Sequence, residues 1–391
     1  MARFAKTLRL ALLMAPLWPA AMAAPQGLPA PEFSAEEVQR IASHGPWPPT
    51  FQPDPSNRVS GNPQAIELGR RLFREARMSP VGYIGCVTCH QPDRSFTDNK
   101  PRAHGLGDLP RNAPALANLG LQRWFGWGGA SDSLWMASVR PILDHREFDS
   151  NPATVVRLFA RDPELDACYR KVFRSSPHAQ PQRTLVNVGK ALAAFQETLV
   201  TARTPFDDFR DALVRRDAGA AARYPAAAQR GLKLFIGEAG CATCHRGPGF
   251  TDAQFHAGAS PDDGAPSSVA TDTGRLDDVR RLLANPLNLL GPYNDSPGSA
   301  RTAATSELRA DENLHGRVRT PGLRNVAHTA PYLHDGRVER LPDALQHQRH
   351  ASHTAPLSSA QVDDLAAFLR SLSDVHGERR PWDTRGLTGC P

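Results

Sequence analysis

The chain has 391 residues, 40% hydrophobic and 22% charged, with 30 glycines and 35 prolines. That apolar share supports packed cores and excludes whole-chain disorder, at a length suited to about two domains, while the glycine and proline content predicts long loops. The formal net charge of +6 overstates the basicity of the working protein, because residues 1–24 read as a secretory signal peptide. Arg3, Lys6 and Arg9 precede an apolar run from Leu10 to Ala21, followed by the small-residue site Ala21-Met22-Ala23. The run is too short to span a bilayer and contains Pro16 and Pro19. Its removal leaves 43 basic against 40 acidic residues, which gives no ground for a nucleic-acid partner. With no other long apolar run, no membrane span is expected, and the expected location is the periplasm.

Residues 25–60 should hold a short helix and a linker. Ser34-Ala35-Glu36-Glu37 is a capping box, flanked by Phe33 and Val38 as a hydrophobic staple, so a helix should run to about Ser43. The stretch 46–55, rich in proline, reads as a linker. Ile66, Leu68, Gly69, Leu72 and Phe73 then mark a helix that leads into Cys86-Val87-Thr88-Cys89-His90. Residues 153–160, 185–201 and 206–215 carry helical apolar periodicity. Residues 257–272 and 296–312 have few large apolar side chains and read as loops. A last helix is expected over 358–372, ahead of an irregular tail at 381–391.

The six cysteines do not form a disulfide framework. Four of them make two C-x-x-C-H motifs, Cys86 to His90 and Cys241 to His245, and only Cys168 and Cys390 remain, free to pair in an oxidising compartment. The motifs sit in an internal repeat. Gly69-Arg70-Arg71-Leu72-Phe73 precedes the first and Phe96-Thr97-Asp98 follows it. Gly231-Leu232-Lys233-Leu234-Phe235 precedes the second and Phe250-Thr251-Asp252 follows it. In such a motif the two thiols form thioethers with haem vinyl groups and the histidine ligates the iron. A zinc site is the plainer alternative, but it needs four ligands closer together than these unless the motifs meet in space; a redox dithiol is the other. The expected fold is mainly α, with two cytochrome-c-like haem domains and long loops: a first domain at 61–204 and a second at 205–380.

Beyond the motifs, the sequence resembles the bacterial di-haem cytochrome c peroxidases and MauG. Trp127, Ser133-Leu134, Pro141 and Glu147 follow the order and spacing of their first module. The runs 319–326 (Arg-Thr-Pro-Gly-Leu-Arg-Asn-Val) and 329–336 (Thr-Ala-Pro-Tyr-Leu-His-Asp-Gly) resemble the signature of their second. The runs 126–135 and 288–293 look most like the MbnH-type branch, which like MauG is associated with oxidising residues of a partner protein. The resemblance implies two covalently bound haems c and a reaction with hydrogen peroxide at the iron held by His90. It implies that Glu147 shuttles protons there and that Trp127 relays electrons between the haems, singled out from an aromatic cluster with Trp124, Phe125 and Trp135. It also implies that Asn112, Thr329 and Pro331 hold a structural calcium, and that His334 lies beside the second haem. The reductant would be a small redox protein, a cytochrome c or cupredoxin, or an oxidisable side chain of a protein substrate.

Two departures from the family bear on the reaction. A glutamine is common three residues after the Ser-Leu pair, where this chain has Ala137. The sixth ligand of the second haem, Met or Tyr in the family, falls at Gln348, and no methionine follows Met136. His347 or His350 is then the candidate ligand. Losing a Met ligand argues against a high-potential second haem, and so favours MauG/MbnH-type oxidation of a protein residue over cytochrome c peroxidation. A non-catalytic di-haem electron carrier would instead have both irons six-coordinate at rest.

Overall fold

The computed structural model describes residues 28–257, 272–351 and 356–374, with only the backbone over 348–351. The signal peptide, residues 258–271 of the expected loop, the tail and the pairing of Cys168 with Cys390 lie outside the described residues. Helices dominate, and the one sheet among the described residues pairs two three-residue antiparallel strands, β1 (Phe255–Ala257) and β2 (Arg317–Arg319).

Helix α1 (Ala35–Ala42) starts on the expected capping box, with Ser34 and Glu37 bonding each other's backbone. The first haem motif is enclosed by α2 (Pro63–Phe73), the one-turn α3 (Cys86–Cys89), α4 (Leu134–Leu143), α5 (Pro152–Arg161), α6 (Pro163–Phe173) and α7 (Pro181–Gln196). The second lies among α8 (Pro205–Arg215), α9 (Ala218–Ala221), α10 (Ala226–Ile236), α13 (Leu341–Ala351) and α14 (Ser359–Arg370), whereas α11 (Arg275–Ala284) and α12 (Ala300–Ser306) follow it in sequence but lie against the first domain, where Asp278 of α11 pairs with Arg111 at 2.7 Å. Proline at the first turn starts α2, α5, α6, α7 and α8, where its missing N–H costs no bond. Helix α7 begins and ends earlier than its periodicity suggests. The chain turns after Gln196, and Thr198 Oγ1 donates back to the Phe195 carbonyl at 2.7 Å.

The repeat seen in sequence is a repeated helix crossing. Gly69 on α2 lies against the Ala191 carbonyl of α7, and Gly231 on α10 against the Asp364 carbonyl of α14; a Cβ on either glycine would overlap that oxygen. Gly231→Ala is therefore expected to destabilise the second domain by about 1–3 kcal/mol or more, the usual cost of overpacking a closed contact. Urea unfolding followed by circular dichroism checks it, and Gly69→Ala should act alike on the first domain.

Two buried clusters form the cores. The first gathers Phe73, Trp135, Phe159, Tyr169, Leu185 and Phe195; the second gathers Phe206, Phe209, Phe235, Phe250, Leu365 and Phe368. Each core also takes residues from the far side of the sequence. Leu287 and Leu289 are buried in the first core, although they follow the second haem motif. Ile41 of α1 is buried in the second, where Phe33 meets Phe209 edge-on at 6.0 Å. The region 296–312, expected as a loop, contains α12, because tertiary contacts hold it. Arg301 pairs with Asp54 at 3.1 Å, and the buried Asp132 accepts from Thr305 Oγ1 at 3.0 Å and from the Leu289 N–H at 2.8 Å. Lys190, buried under Trp135, pairs with Asp295 and donates to the Tyr293 carbonyl at 2.7 Å. No helix among the described residues is long and apolar enough to cross a membrane.

Candidate functional site

The two C-x-x-C-H segments fold alike. In each, the histidine N–H bonds back to the first cysteine's carbonyl at 2.9 Å, making one tight turn. His90 Nδ1 lies 3.0 Å from the Phe96 carbonyl, and His245 Nδ1 lies 3.0 Å from the Phe250 carbonyl. A carbonyl only accepts, so Nδ1 carries the proton and Nε2 keeps its lone pair for a metal. Both phenylalanines hold left-handed backbone, φ 60° and 53°, an unusual state for a bulky residue that aims their carbonyls at the histidines. Burial lowers the pKa of both histidines. Burial also pushes the Cys86 thiol up to about 12 and the Cys89 thiol up to about 11. A reactive dithiol needs the opposite shift.

Beside the first motif lies a cavity of about 430 Å³, lined by Cys86, Cys89, His90, Trp127, Pro141 and Glu147 among others. Helix α4 presents Leu134, Ala137, Ser138 and Pro141 to it as one stripe at helical spacing. After α4 the chain folds back on itself. The Phe148 N–H bonds to the Pro141 carbonyl at 3.2 Å, and the Ser150 N–H bonds to that of Ile142 at 3.0 Å. That return carries Glu147 back to the cavity wall. Burial, aided by the charge of Asp144, raises the Glu147 carboxyl to about 7 against the pull of Arg140 and Arg146. A carboxyl that is half-ionised near neutral pH is suited to both taking and giving a proton.

Trp127 lies between the domains and lines both this cavity and a smaller one of about 120 Å³ at the interface. Its indole N–H donates to the Asn112 carbonyl at 2.9 Å, and its ring meets the His334 ring edge-on at 6.5 Å. The Asn112 N–H donates to the His334 carbonyl at 2.8 Å. Burial lowers the pKa of His334 against the nearby charges of Asp335 and Asp272. Asn112, Thr329 and Pro331 all line the interface cavity, so the structure brings Asn112 of the first domain to Thr329 and Pro331 of the second. Arg319 lines both cavities. Its Nη1 is buried with no partner among the described residues, and burial pulls the guanidinium down to about 10, so it stays cationic at neutral pH. A buried cation with no counter-charge suits a carboxylate such as a haem propionate.

Sequence reasoning missed how far the repeat extends. Pro114, Leu116 and Asn118 recur at a constant offset as Pro321, Leu323 and Asn325, and both asparagines hold left-handed backbone. The same offset relates Phe125, Gly126, Trp127 and Gly129 to Tyr332, Leu333, His334 and Gly336. The backbone bonds match as well, from the Phe125 N–H to Ser131 and from the Tyr332 N–H to Val338. Trp127 and His334 are thus equivalent residues of the two modules, meeting where the modules face each other. The Pro-x-Leu-x-Asn recurrence was the available signal. The offset also carries α4 onto α13, with His347 at the place of Arg140, which lines the first cavity. His347 Nε2 lies 3.3 Å from Arg337 Nη2; the side chains of Gln348 and His350 are outside the described residues.

The chain is similar to known proteins in sequence and in fold. A family-wide sequence profile described as di-haem cytochrome c peroxidase matches residues 63–213. The methylamine utilization protein MauG of Methylorubrum extorquens is 31% identical over 322 residues, 79% of this chain and 78% of that protein. Cytochrome c551 peroxidase of Pseudomonas aeruginosa is 30% identical over 349 residues, covering 87% and 89%. The crystal structure of a MauG-like protein associated with microbial copper homeostasis superposes with a TM-score of 0.63 at 25% identity, covering 84% of this chain and 96% of that one.

Proposed function

The chain belongs to the di-haem cytochrome c peroxidase and MauG family of oxidoreductases, and we propose that within it the reaction is of MauG/MbnH type, oxidation of a partner-protein residue at the expense of hydrogen peroxide. The observation that carries the choice is the lack of any methionine after Met136. The second domain has no methionine side chain to ligate its haem and raise the potential, and the chain offers His347 or His350 in that region instead.

Two haems would be held covalently, one by Cys86, Cys89 and His90, the other by Cys241, Cys244 and His245. The buried Arg319 would meet a propionate. When bound, the haems supply the two-electron chemistry with peroxide. The protein's part at the first site is to set Glu147, whose carboxyl burial raises to about 7, on the cavity wall, where it moves a proton between the two oxygens of the substrate. Trp127 is held rigid by its bond to Asn112 and touches both cavities, which suits it to couple the domains, with His334 packed against it. Asn112, Thr329 and Pro331 offer oxygen donors of the kind calcium prefers, with the positive Arg319 in the same cavity opposing a second cation. An exported, periplasmic protein with a protein partner completes the reading.

The test mixes the fully ferric holoprotein, with two haem additions established by mass spectrometry, with peroxide and no donor. The expected result is an immediate change in the spectra of both haems. Trp127→Phe should keep both haems and peroxide binding but lose the response of the second. If nothing happens until the second haem is reduced, and cytochrome c is then oxidised rapidly, the chain is a cytochrome c peroxidase and the MauG/MbnH-type reading fails.

A further inference from the structure

We propose that Gln196 is a fixed hydrogen-bond acceptor for the O–H of a peroxide bound in the first-domain cavity, locked with its oxygen inward by Ser138; the proposal rests on the peroxide reading above. Gln196 ends α7, is 7% exposed, and lines the cavity with Ser138, Ala137, Pro141 and Glu147. Its amide nitrogen is committed on both sides. Nε2 donates to Ser138 Oγ at 2.7 Å and to the Leu192 carbonyl at 3.2 Å. The bonding pattern fixes which end of the amide is which. Ser138 Oγ gives its own proton to the Leu134 carbonyl at 2.8 Å, so it can only accept from Gln196. Turning the amide over would set Oε1 against two acceptors.

Oε1 is left with no donor among the described residues. A cross-brace between α4 and α7 explains the nitrogen but leaves the oxygen, which is not sealed off, open to a donor that enters the cavity. Hydrogen peroxide carries a donor on each oxygen. An amide oxygen does not titrate, so it favours the neutral, fully protonated molecule over its anion at any working pH. The labour then divides. Glu147 moves a proton, and Gln196 holds an O–H in place without taking its proton. Ala137 presents only a methyl group on the same face of α4, so Ser138 and Gln196 are the neutral polar groups of the α4 and α7 wall.

The experiment compares ligands with and without a proton to give, in the two-haem protein. Gln196→Leu should slow peroxide association by about fivefold to tenfold, the size of one neutral hydrogen bond. It should leave the affinity of the reduced protein for carbon monoxide within twofold. Gln196→Glu, as the protonated acid, gives its O–H to Ser138 in place of the amide and keeps an inward carbonyl oxygen, so it should recover most of the peroxide rate at low pH. Ser138→Ala, which frees the amide to turn, should give a smaller loss with the same selectivity. Equal losses for peroxide and carbon monoxide would mean a distorted cavity and overturn the proposal, as would an unchanged peroxide rate in Gln196→Leu. Should Gln196→Leu not take up haem, Ser138→Ala and Gln196→Glu carry the decision by the same comparison. A wild-type holoprotein indifferent to peroxide overturns the peroxide reading and this proposal together, whereas a reactive wild type with an unaffected Gln196→Leu overturns this one alone.

Discussion

Glu147→Gln slows the reaction of the holoprotein with peroxide by about 10²–10⁴-fold, the usual contribution of a positioned acid–base group, and leaves the resting haem spectrum unchanged. The size follows from the site. Glu147 is the carboxyl on the cavity wall whose pKa, near 7, lets it change state in the working range. Glutamine keeps the shape and one acceptor but cannot carry a proton. The pH dependence has a definite sign. Burial raises the carboxyl from its ordinary value of 4.5 to about 7, so it is protonated below that value and ionised above. If the ionised form takes the first proton, the wild-type rate rises with pH through about 7 and then levels, while the Glu147→Gln rate stays flat. Stopped-flow absorbance between pH 5 and 9, a range of about two units either side of that value, checks both. A variant as fast as wild type removes Glu147 from the reaction.

Asp207→Ala is expected to cost about 3–5 kcal/mol, the penalty for leaving one member of a buried ion pair alone. The side chains of Asp207 and Arg324 are each 1% exposed and pair through two bonds of 2.8 and 3.0 Å. The same carboxylate accepts from the N–H and hydroxyl of Thr204, capping α8. Arg324 also donates to the Pro248 carbonyl at 2.7 Å and lies 3.6 Å over the Trp47 ring. The pair thus ties the N-terminal segment, α8 and the loop behind the second haem motif into one unit. Denaturant unfolding of the second-domain transition measures the loss. Replacing both members with apolar residues should cost much less than the single change, because no charge is then left buried. A single-variant loss below about 1 kcal/mol would place the pair among surface-like bridges and contradict its burial.

The features legible in sequence are those whose determinants lie close together along the chain. A C-x-x-C-H motif is five residues, a capping box is four, and a glycine one helix ahead of each motif announces the crossing that Gly69 and Gly231 make. Their physics is local, so their spacing carries them. Glu147 and Trp127 were reachable through the spacing of the residues around them. The value near 7 on Glu147 was not, since it comes from burial under a returning loop and from Asp144 and two arginines around it.

By itself the sequence determined that two similar helical modules each present a histidine behind a pair of thiols, and that no methionine can serve the second. Only the tertiary structure decided what those modules share. Trp127 and His334 look unrelated in sequence, because the repeat conserves the backbone path, with its left-handed turns and paired N–H groups, and lets the side chains diverge. Leu287 and Leu289 fill the first core, and Ile41 fills the second, because burial follows proximity in space and not order along the chain. Gln196 shows the same limit at the scale of one atom. Its nitrogen is bound and its oxygen left free by where Ser138, Leu134 and Leu192 stand around it, an arrangement that exists only once α4 has packed against α7.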